Sequence, residues 1–397
     1  MTDVYGEQTR ALRGPVPRAV SEVPLAPPVY RATTYAFPSA ERYADVLNGA
    51  EDGWCYARID SPTAQLFADA VAVMEGVGVP YGVLGQPFAS GMAAISTTLL
   101  SLTASGRHVV AAHELYGGTF SLLTRQLARF GVTTTFVDLA DHDAVRAAVT
   151  EHTAVIWGET LANPTMSVAD IPVLAEIAHA AGALLAVDST FASPAVCRPL
   201  AHGADLVVHS ATKYIGGHSD VTGGVVCGRA DLLTNVRAVR VDLGGALSPD
   251  DAYVLQRGLQ TLPLRVARHC ASALQVAESL EGHPRVARID FPGLVSHRDH
   301  ALATRLFEPG RFGGVVTVTP RGGRAEGMAF CDRLRLVQVA TSLGGTHSLV
   351  SHAASTTHRQ LADDELAAAG IGPAACRISI GLEDPEDLVD DIARALG

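Results

Sequence analysis

Short apolar runs alternate with stretches whose apolar positions recur every three or four residues, from about residue 62 to about residue 248. The amphipathic stretches predict helices over 63–75, 91–104, 118–130, about 142–150 and 171–181. The apolar runs predict strands at HVVAAH (108–113), VTTTFVDL (132–139), TAVIWGET (153–160), ALLAVDST (183–190), DLVVHS (205–210) and GGVVCG (223–228). Short apolar strands separated by helices read as an α/β domain around a mixed, mostly parallel sheet covered on both faces. Ligands of such sheets sit at the carboxyl ends of the strands, where Glu159, Asp188 and Ser210 fall. A helical stretch at 249–282 leads into strands at 287–293, 313–320 and around Arg377, with helices near 325–335 and 385–396. This predicts a smaller C-terminal α/β domain over 249–397, after a large domain over 62–248. Residues 1–61 have weak periodicity and many prolines, including Pro24, Pro27, Pro28 and Pro38. They read as an extended arm that contacts a neighbouring subunit.

The chain has 397 residues, 48% hydrophobic, enough apolar material for two domains. Its net charge of −11 and lack of a basic run argue against nucleic acid and anionic membranes as partners. The longest apolar runs, such as Ala183 to Val187, are strand-sized and too short for a membrane span. The start, MTDVYGEQTR, has no secretory pattern, so a cytoplasmic location is expected. Six cysteines without a CxxC pair read as reduced thiols and not as a metal site. Lysine and arginine together number 30, yet one residue alone, Lys213, is lysine. Arginine supplies charge and hydrogen-bond forks but does not readily become an amine nucleophile. What the one side-chain amine does is therefore the central question.

Lys213 lies in HSATKYIGGH, just past a strand end, where partial burial favours the neutral amine that attacks an aldehyde. Ser210 and Thr212 beside it are potential phosphate donors. The SxxK string by itself also fits a penicillin-recognising serine enzyme. Asp188 ends a strand 25 residues earlier, one helix away, and either caps a turn or holds a cofactor's pyridine nitrogen protonated. Ser90-Gly91-Met92 opens a helix whose free N–H groups and dipole suit a phosphate, although the same pattern is a common N-cap. Tyr116 follows a strand and precedes two glycines, so its ring either packs or lies over a planar cofactor. Arg377 stands in an apolar strand and needs a carboxylate, from a substrate or from an internal Asp or Glu. Together these point to pyridoxal phosphate (PLP) on Lys213, with a Schiff-base aldolase or a non-catalytic phosphate-binding protein as other readings.

The motifs PLAPPVYRATTYAF, YARIDSPT, ASGMAA, LYGGTF, GETLANPT, VDSTFASP, HSATKYIGGHSDVTGG, TSLGGTHSL, STTHRQL and CRISIGLEDPEDLVDDI occur in this order. In this the chain resembles the trans-sulfuration, or Cys/Met-metabolism, family of PLP enzymes nearly from end to end. The resemblance implies an aspartate-aminotransferase-like fold (fold type I) and a homotetramer, a dimer of dimers with active sites shared between subunits. By position, Lys213 would carry PLP, Asp188 would partner the pyridine nitrogen and Tyr116 would stack on the ring. Ser90, Gly91, Met92, Ser210 and Thr212 would bind the phosphate, and Tyr56 and Arg58 would reach the phosphate of the neighbouring subunit. Glu159 and Asn163 would lie beside the cofactor, with Asn163 also near the substrate. Ser342 and Arg377 would hold the substrate carboxylate, next to Thr341.

The implied chemistry starts with removal of the Cα proton by Lys213. A Cβ proton leaves next, and Tyr116 assists departure of the γ-substituent. The expected activity is γ-elimination on an L-amino acid with a leaving group at Cγ, giving a 2-oxo acid and ammonia. γ-Replacement by a transferase is the alternative, and β-elimination a third. Four positions depart from the family pattern. Gly118 stands where methionine γ-lyases carry cysteine, and Thr341 where cystathionine enzymes usually carry glutamate. Ser189 and Ser61 replace asparagines, the first expected to loosen hydrogen bonding around the cofactor. STTHRQL (355–361) is more like the methionine γ-lyase and sulfhydrylase branches.

Overall fold

The structure is a computed structural model that describes residues 24–356, 366 and 370–397; residues 1–23 of the arm and most of STTHRQL lie outside the described residues. Seven strands form the first sheet: β1 (Leu84–Phe88), β2 (His108–Ala112), β3 (Thr133–Val137), β4 (Thr153–Glu159), β5 (Leu184–Asp188), β6 (Leu206–His209) and β7 (Gly224–Gly228). Their order is β1-β7-β6-β5-β4-β2-β3. The five strands from β6 to β3 are parallel, and β7 is antiparallel to both of its neighbours. Every residue of β2, β4, β6 and β7 is buried, as expected of strands covered on both faces. β1 is absent from the sequence reading because Pro87 interrupts its pattern. Proline is tolerated there because β1 lies at the sheet edge.

The helices up to the middle of the chain are α1 (Ala40–Leu47), α2 (Pro62–Glu75), α3 (Gly91–Leu102), α4 (Gly117–Ser121), α5 (His142–Ala148), α6 (Ile171–Ala180) and α7 (Ala230–Leu243). In α2, proline occupies the first helical position, where its missing N–H costs nothing, and Phe67, Ala68, Val71 and Ala72 turn one face inward. α7 escapes periodicity because it buries little beyond Leu233, Val236 and the guanidinium-bearing Arg240. The helix expected over 118–130 is not continuous. α4 passes into a π turn at Leu122–Gln126 and a 3₁₀ turn at Leu127–Phe130, which ends at Gly131. The stretch expected as one helix over 249–282 is two, α8 (Pro249–Leu259) and α9 (Leu262–Leu280). Pro263 in the first turn of α9 cannot donate to a preceding carbonyl, so a new helix starts there.

The second sheet holds β8 (Val286–Asp290), β9 (Val315–Pro320), β10 (Gln338–Val339), β11 (Leu349–His352) and β12 (Cys376–Ser379), in the order β10-β11-β12-β9-β8. Helices α10 (His300–Leu306), α11 (Gly323–Arg333) and α12 (Pro385–Leu396) accompany it. Two large hydrophobic cores and one small cluster result among the described residues, and α9 serves both large cores. Its Leu262, Val266 and Cys270 join the core of the first sheet, while Ala273, Val276 and Leu280 join Val316, Ile378 and Leu388 in the second.

Between the cores, α9 also fixes the backbone that follows Lys213. Arg265, 6% exposed, donates to the carbonyls of Tyr214 (2.8 Å), Ile215 (3.3 Å) and Gly258 (2.7 Å). Its charge is therefore spent on backbone oxygens and not on a carboxylate. Gly217, at φ +73°, closes this loop, and a Cβ there would meet Arg265 Nη1 at 2.0 Å. Gly244 has a similar φ of +78° but open space around it. Gly244→Ala should thus cost only the left-handed backbone penalty of about 1–2 kcal/mol. Gly217→Ala should cost clearly more in denaturant unfolding, because the guanidinium must also leave its three carbonyls. Equal losses would show that the loop has room.

Candidate active site

The carboxyl ends of β4, β5 and β6 open into a cavity of about 1070 Å³. Every site residue anticipated from the sequence lines it except Tyr56 and Arg58. Strand register places two carboxyl groups side by side, because Glu159 ends β4 directly opposite Asp188, which ends β5. Each is only 7% exposed. Burial raises the pKa of both, and the charge of Asp188 raises Glu159 further, well above the usual carboxylate range. Asp188 is eased back down by two hydrogen bonds from Thr190, N–H at 3.0 Å and hydroxyl at 2.5 Å, and by His209. Two adjacent buried carboxyls cannot both ionise cheaply. The proton belongs on Glu159, and Asp188 keeps the charge. Glu159 also accepts from the Tyr116 N–H at 2.6 Å, which ties the turn after β2 to the end of β4.

Lys213 is half-buried on the loop after β6, and burial together with the nearby Arg377 guanidinium lowers its pKa to about 8. Its Nζ donates to Ser342 Oγ at 2.8 Å. Ser342 has φ +90°, a sparsely populated conformation for a residue with a side chain. In that conformation its carbonyl accepts from Arg377 Nη2 at 2.8 Å while its hydroxyl meets Lys213. Arg377, 5% exposed in β12, donates from Nη1 to Asn163 Oδ1 at 3.2 Å and lies 5.8 Å over the Phe191 ring. Burial lowers its pKa to about 10. No carboxylate among the described residues pairs with it, and its Nε–H has no partner there. A buried guanidinium in that condition is suited to a carboxylate that arrives with a ligand.

At the other end of the cavity, α3 points its N-terminus inward. The Ser90 hydroxyl accepts from Ala93 N–H at 3.1 Å, which leaves the N–H groups of Gly91 and Met92 without intrahelical acceptors. Gly91 permits a close approach to the lysine loop, since a Cβ there would lie 2.6 Å from Ser210. Thr212 is bonded through its hydroxyl to Gly223 N–H at 3.0 Å. Tyr116 is 46% exposed at the mouth, and its ring edge occupies the space over Gly118, where a Cβ would come within 2.5 Å of it.

A carboxylate at one wall, an amine of lowered pKa, an aromatic ring and a helix N-terminus fit a planar aldehyde that carries a ring nitrogen and a phosphate. Asp188 could face the nitrogen, Lys213 the aldehyde, and Gly91, Met92 and Ser210 the phosphate. Tyr56 and Arg58 lie apart, lining a separate arm cavity of about 590 Å³, with Arg58 bonded to Val241 O at 2.7 Å. Ser189 departs from expectation. It is fully buried, accepts from the Thr160 hydroxyl at 2.9 Å and does not line the main cavity, so its hydrogen bonding is inside the sheet. The sequence reading missed Thr190, Phe191 and Arg125, all of which line the cavity. Thr190 alone had a local signal, the Asp-x-Thr spacing of a side-chain-capped turn.

Because Lys213 is the sole lysine, amine-directed labelling of ligand-free protein reports on one side chain once the N-terminus is blocked. The amine is protonated below its pKa and reactive above it, so labelling should rise with pH through about 8. Arg377→Met removes a neighbouring positive charge and should move that midpoint upward, by NMR or mass-spectrometric titration. A midpoint near 10.5, the value of an exposed lysine, would refute the buried setting.

Comparison with known proteins agrees with this geometry. The family model for the Cys/Met metabolism PLP-dependent enzymes matches residues 10–397. The chain is 41% identical to an L-methionine gamma-lyase of Pseudomonas deceptionensis over 99% of its length and 97% of that protein. It is 40% identical to an O-succinylhomoserine sulfhydrylase of Pseudomonas aeruginosa over 93% of its length and 90% of that protein. A solved structure from Campylobacter jejuni, described as an O-acetylhomoserine (thiol)-lyase carrying N'-pyridoxyl-lysine-5'-monophosphate, superposes with a TM-score of 0.90. It is 31% identical to this chain, with 99% of this chain and all of that one covered. The fold is that of the fold type I PLP enzymes, and the chain belongs to the Cys/Met-metabolism PLP-dependent enzyme family, with pyridoxal 5'-phosphate as its cofactor.

Proposed function

We propose that this enzyme performs γ-elimination on an L-amino acid bearing a leaving group at Cγ and releases a 2-oxo acid and ammonia. The observation that carries the reading is the Lys213–Ser342–Arg377 cluster, a reactive amine beside a buried guanidinium that pairs with no carboxylate among the described residues. Bound PLP supplies an electron sink for the charge left when the Cα proton departs. Arg377, oriented by Asn163 and by the Ser342 carbonyl, holds the substrate carboxylate. Lys213 is then positioned to take the Cα proton, since a pKa lowered to about 8 gives it far more neutral amine near neutral pH than an exposed lysine has. Ser342 orients the amine. Asp188 stays ionised toward the ring nitrogen because Glu159 takes the shared proton. Tyr116, held through its N–H by Glu159, presents its phenol at the mouth to protonate the departing group.

γ-Replacement is the second reading, favoured by the O-succinylhomoserine sulfhydrylase relative, whose identity to the chain nearly equals that of the methionine gamma-lyase. The holoenzyme should release 2-oxo acid and ammonia from γ-substituted substrates without added thiol. Accumulation of thioether with no 2-oxo acid would establish replacement instead. Lys213→Ala should lower either activity by about 10²–10⁴-fold. Arg377→Met should lower kcat/KM by about 30-fold or more, mainly through KM.

The same reading has the arm, residues 1–61, completing a neighbour's site in a homotetramer, with 62–248 binding the cofactor, 249–397 forming the small domain and the enzyme in the cytoplasm. In support, no residue of α1 is buried, and Leu25, Tyr30, Tyr43 and Tyr56 are exposed. No described helix is long and apolar enough to cross a membrane. Lys213→Ala and Arg58→Ala variants, each impaired alone, should on subunit exchange recover roughly a quarter of wild-type activity, from mixed dimers with one intact site. No recovery after verified exchange would mean that Arg58 serves its own subunit.

A further inference from the structure

Glu75 and His209 form the most deeply buried ion pair between described residues, at 0% and 1% exposure, with Oε1 2.7 Å from Nε2. Glu75 is the last residue of α2, at the negative end of the helix dipole, and no basic residue in that turn offsets it. Its Oε2 and the His209 Nδ1 have no partner among the described residues. A buried pair of this kind adds little stability that apolar side chains of equal volume would not, so stability does not explain it.

Its place in the sheet does. His209 ends β6, between Ser210 and Val208, and Val208 faces Asp188 across the β5–β6 ladder. Alternation along the strand turns the imidazole to the face opposite Val208, where it meets Glu75. The backbone on either side of His209 grips the turn after β5. Val208 O accepts from Ser189 N–H at 2.9 Å, and Ser210 N–H donates to Thr190 Oγ1 at 2.8 Å. The Thr190 hydroxyl, its oxygen so occupied, donates its own proton to Asp188 Oδ1 at 2.5 Å. Against the burial that raises the Asp188 pKa, Thr190 and then His209 favour the charged form. Glu159 also acts on Asp188 from β4, and Lys213, Arg377, Arg125 and Tyr116 line the same cavity.

We propose that Glu75 and His209 are positioning residues for the cofactor, fixing the end of β6 so that Ser210 N–H aims the Thr190 hydroxyl at Asp188. This rests on the placement of Asp188 toward the ring nitrogen given above. Neither residue of the pair lines the main cavity, so both act through Ser210 and Thr190 and not by touching the cofactor.

The test measures the dissociation constant of PLP from the refilled enzyme and the pH at which the bound cofactor's visible absorption changes. Glu75→Met keeps the volume but removes the acceptor for His209. It should weaken PLP binding about tenfold and raise the absorption midpoint by about one pH unit, the same free energy. The midpoint rises because a ring nitrogen that holds its proton less firmly repels a proton on the Lys213 nitrogen less. Glu75→Gln keeps an acceptor oxygen and should restore most of both values. Thr190→Val cuts the link to Asp188, so adding Glu75→Met to it should cost less than about threefold more. Wild-type values in Glu75→Met overturn the proposal. So does full additivity with Thr190→Val, which is what a merely structural pair would give. If Glu75→Met does not fold, Glu75→Asp, whose carboxyl is withdrawn by one methylene, is read in the same way. Asp188→Asn separates the two readings. If it changes neither value, the placement of Asp188 falls and the role of the pair with it. If it changes both while Glu75→Met changes neither, only the role of the pair falls.

Discussion

The placement of a single amine beside a buried guanidinium is the constraint on which the rest of this site depends. Two cations in low-dielectric surroundings repel, and the cheapest resolution is for the one that can lose a proton to lose it. Arginine does not, so burial first and the neighbouring guanidinium second bring the lysine pKa down to about 8, within reach of use as a base. The Ser342 backbone holds both partners at once, with its hydroxyl on Lys213 and its carbonyl on Arg377. Its unusual φ of +90° is the conformational cost of serving two groups from one residue.

The carboxyl pair at the ends of β4 and β5 repeats this logic with the sign reversed. Parallel register makes Glu159 and Asp188 neighbours, and their surroundings separate their roles. Thr190 and His209 favour the charged form of Asp188, while Glu159 receives mainly burial and its neighbour's field. A guanidinium, Arg377, and the carboxyl that more readily keeps its charge, Asp188, thus line the same cavity. Elements far from the chemistry hold this arrangement. Arg265 grips three carbonyls around the lysine loop from α9, a helix that belongs to both hydrophobic cores. A displacement between the two sheets would therefore be felt at Lys213.

Much of the fold was legible because its strands are apolar and its helices amphipathic. β1 was hidden by Pro87, which only an edge position tolerates, and α7 by a face with few buried residues. The π turn after α4 has no periodic signature, since one inserted residue looks like an ordinary helix in sequence. Lys213 and Asp188 stood out because one is compositionally unique and the other ends a clear strand. Thr190 was overlooked despite its local spacing. Arg265 and Arg125 had no local signal at all, being two among many arginines. Ser189 illustrates the opposite error: it is adjacent to Asp188 in sequence, yet alternation along the chain turns it into the sheet and toward Thr160.

By itself, then, the sequence determined the α/β architecture, the family motifs in their order and the identity of the only side-chain amine. These follow from local periodicity and covalent order, which need no knowledge of what packs against what. The tertiary structure alone decided which carboxyl keeps its charge, that Arg377 has no internal carboxylate among the described residues, and that Arg125 lines the cavity. Protonation and pairing depend on groups brought together from remote parts of the chain, 129 residues apart for Lys213 and Ser342 and 214 for Arg377 and Asn163. The lone lysine names the chemistry, and the folded surroundings make its amine fit to perform it.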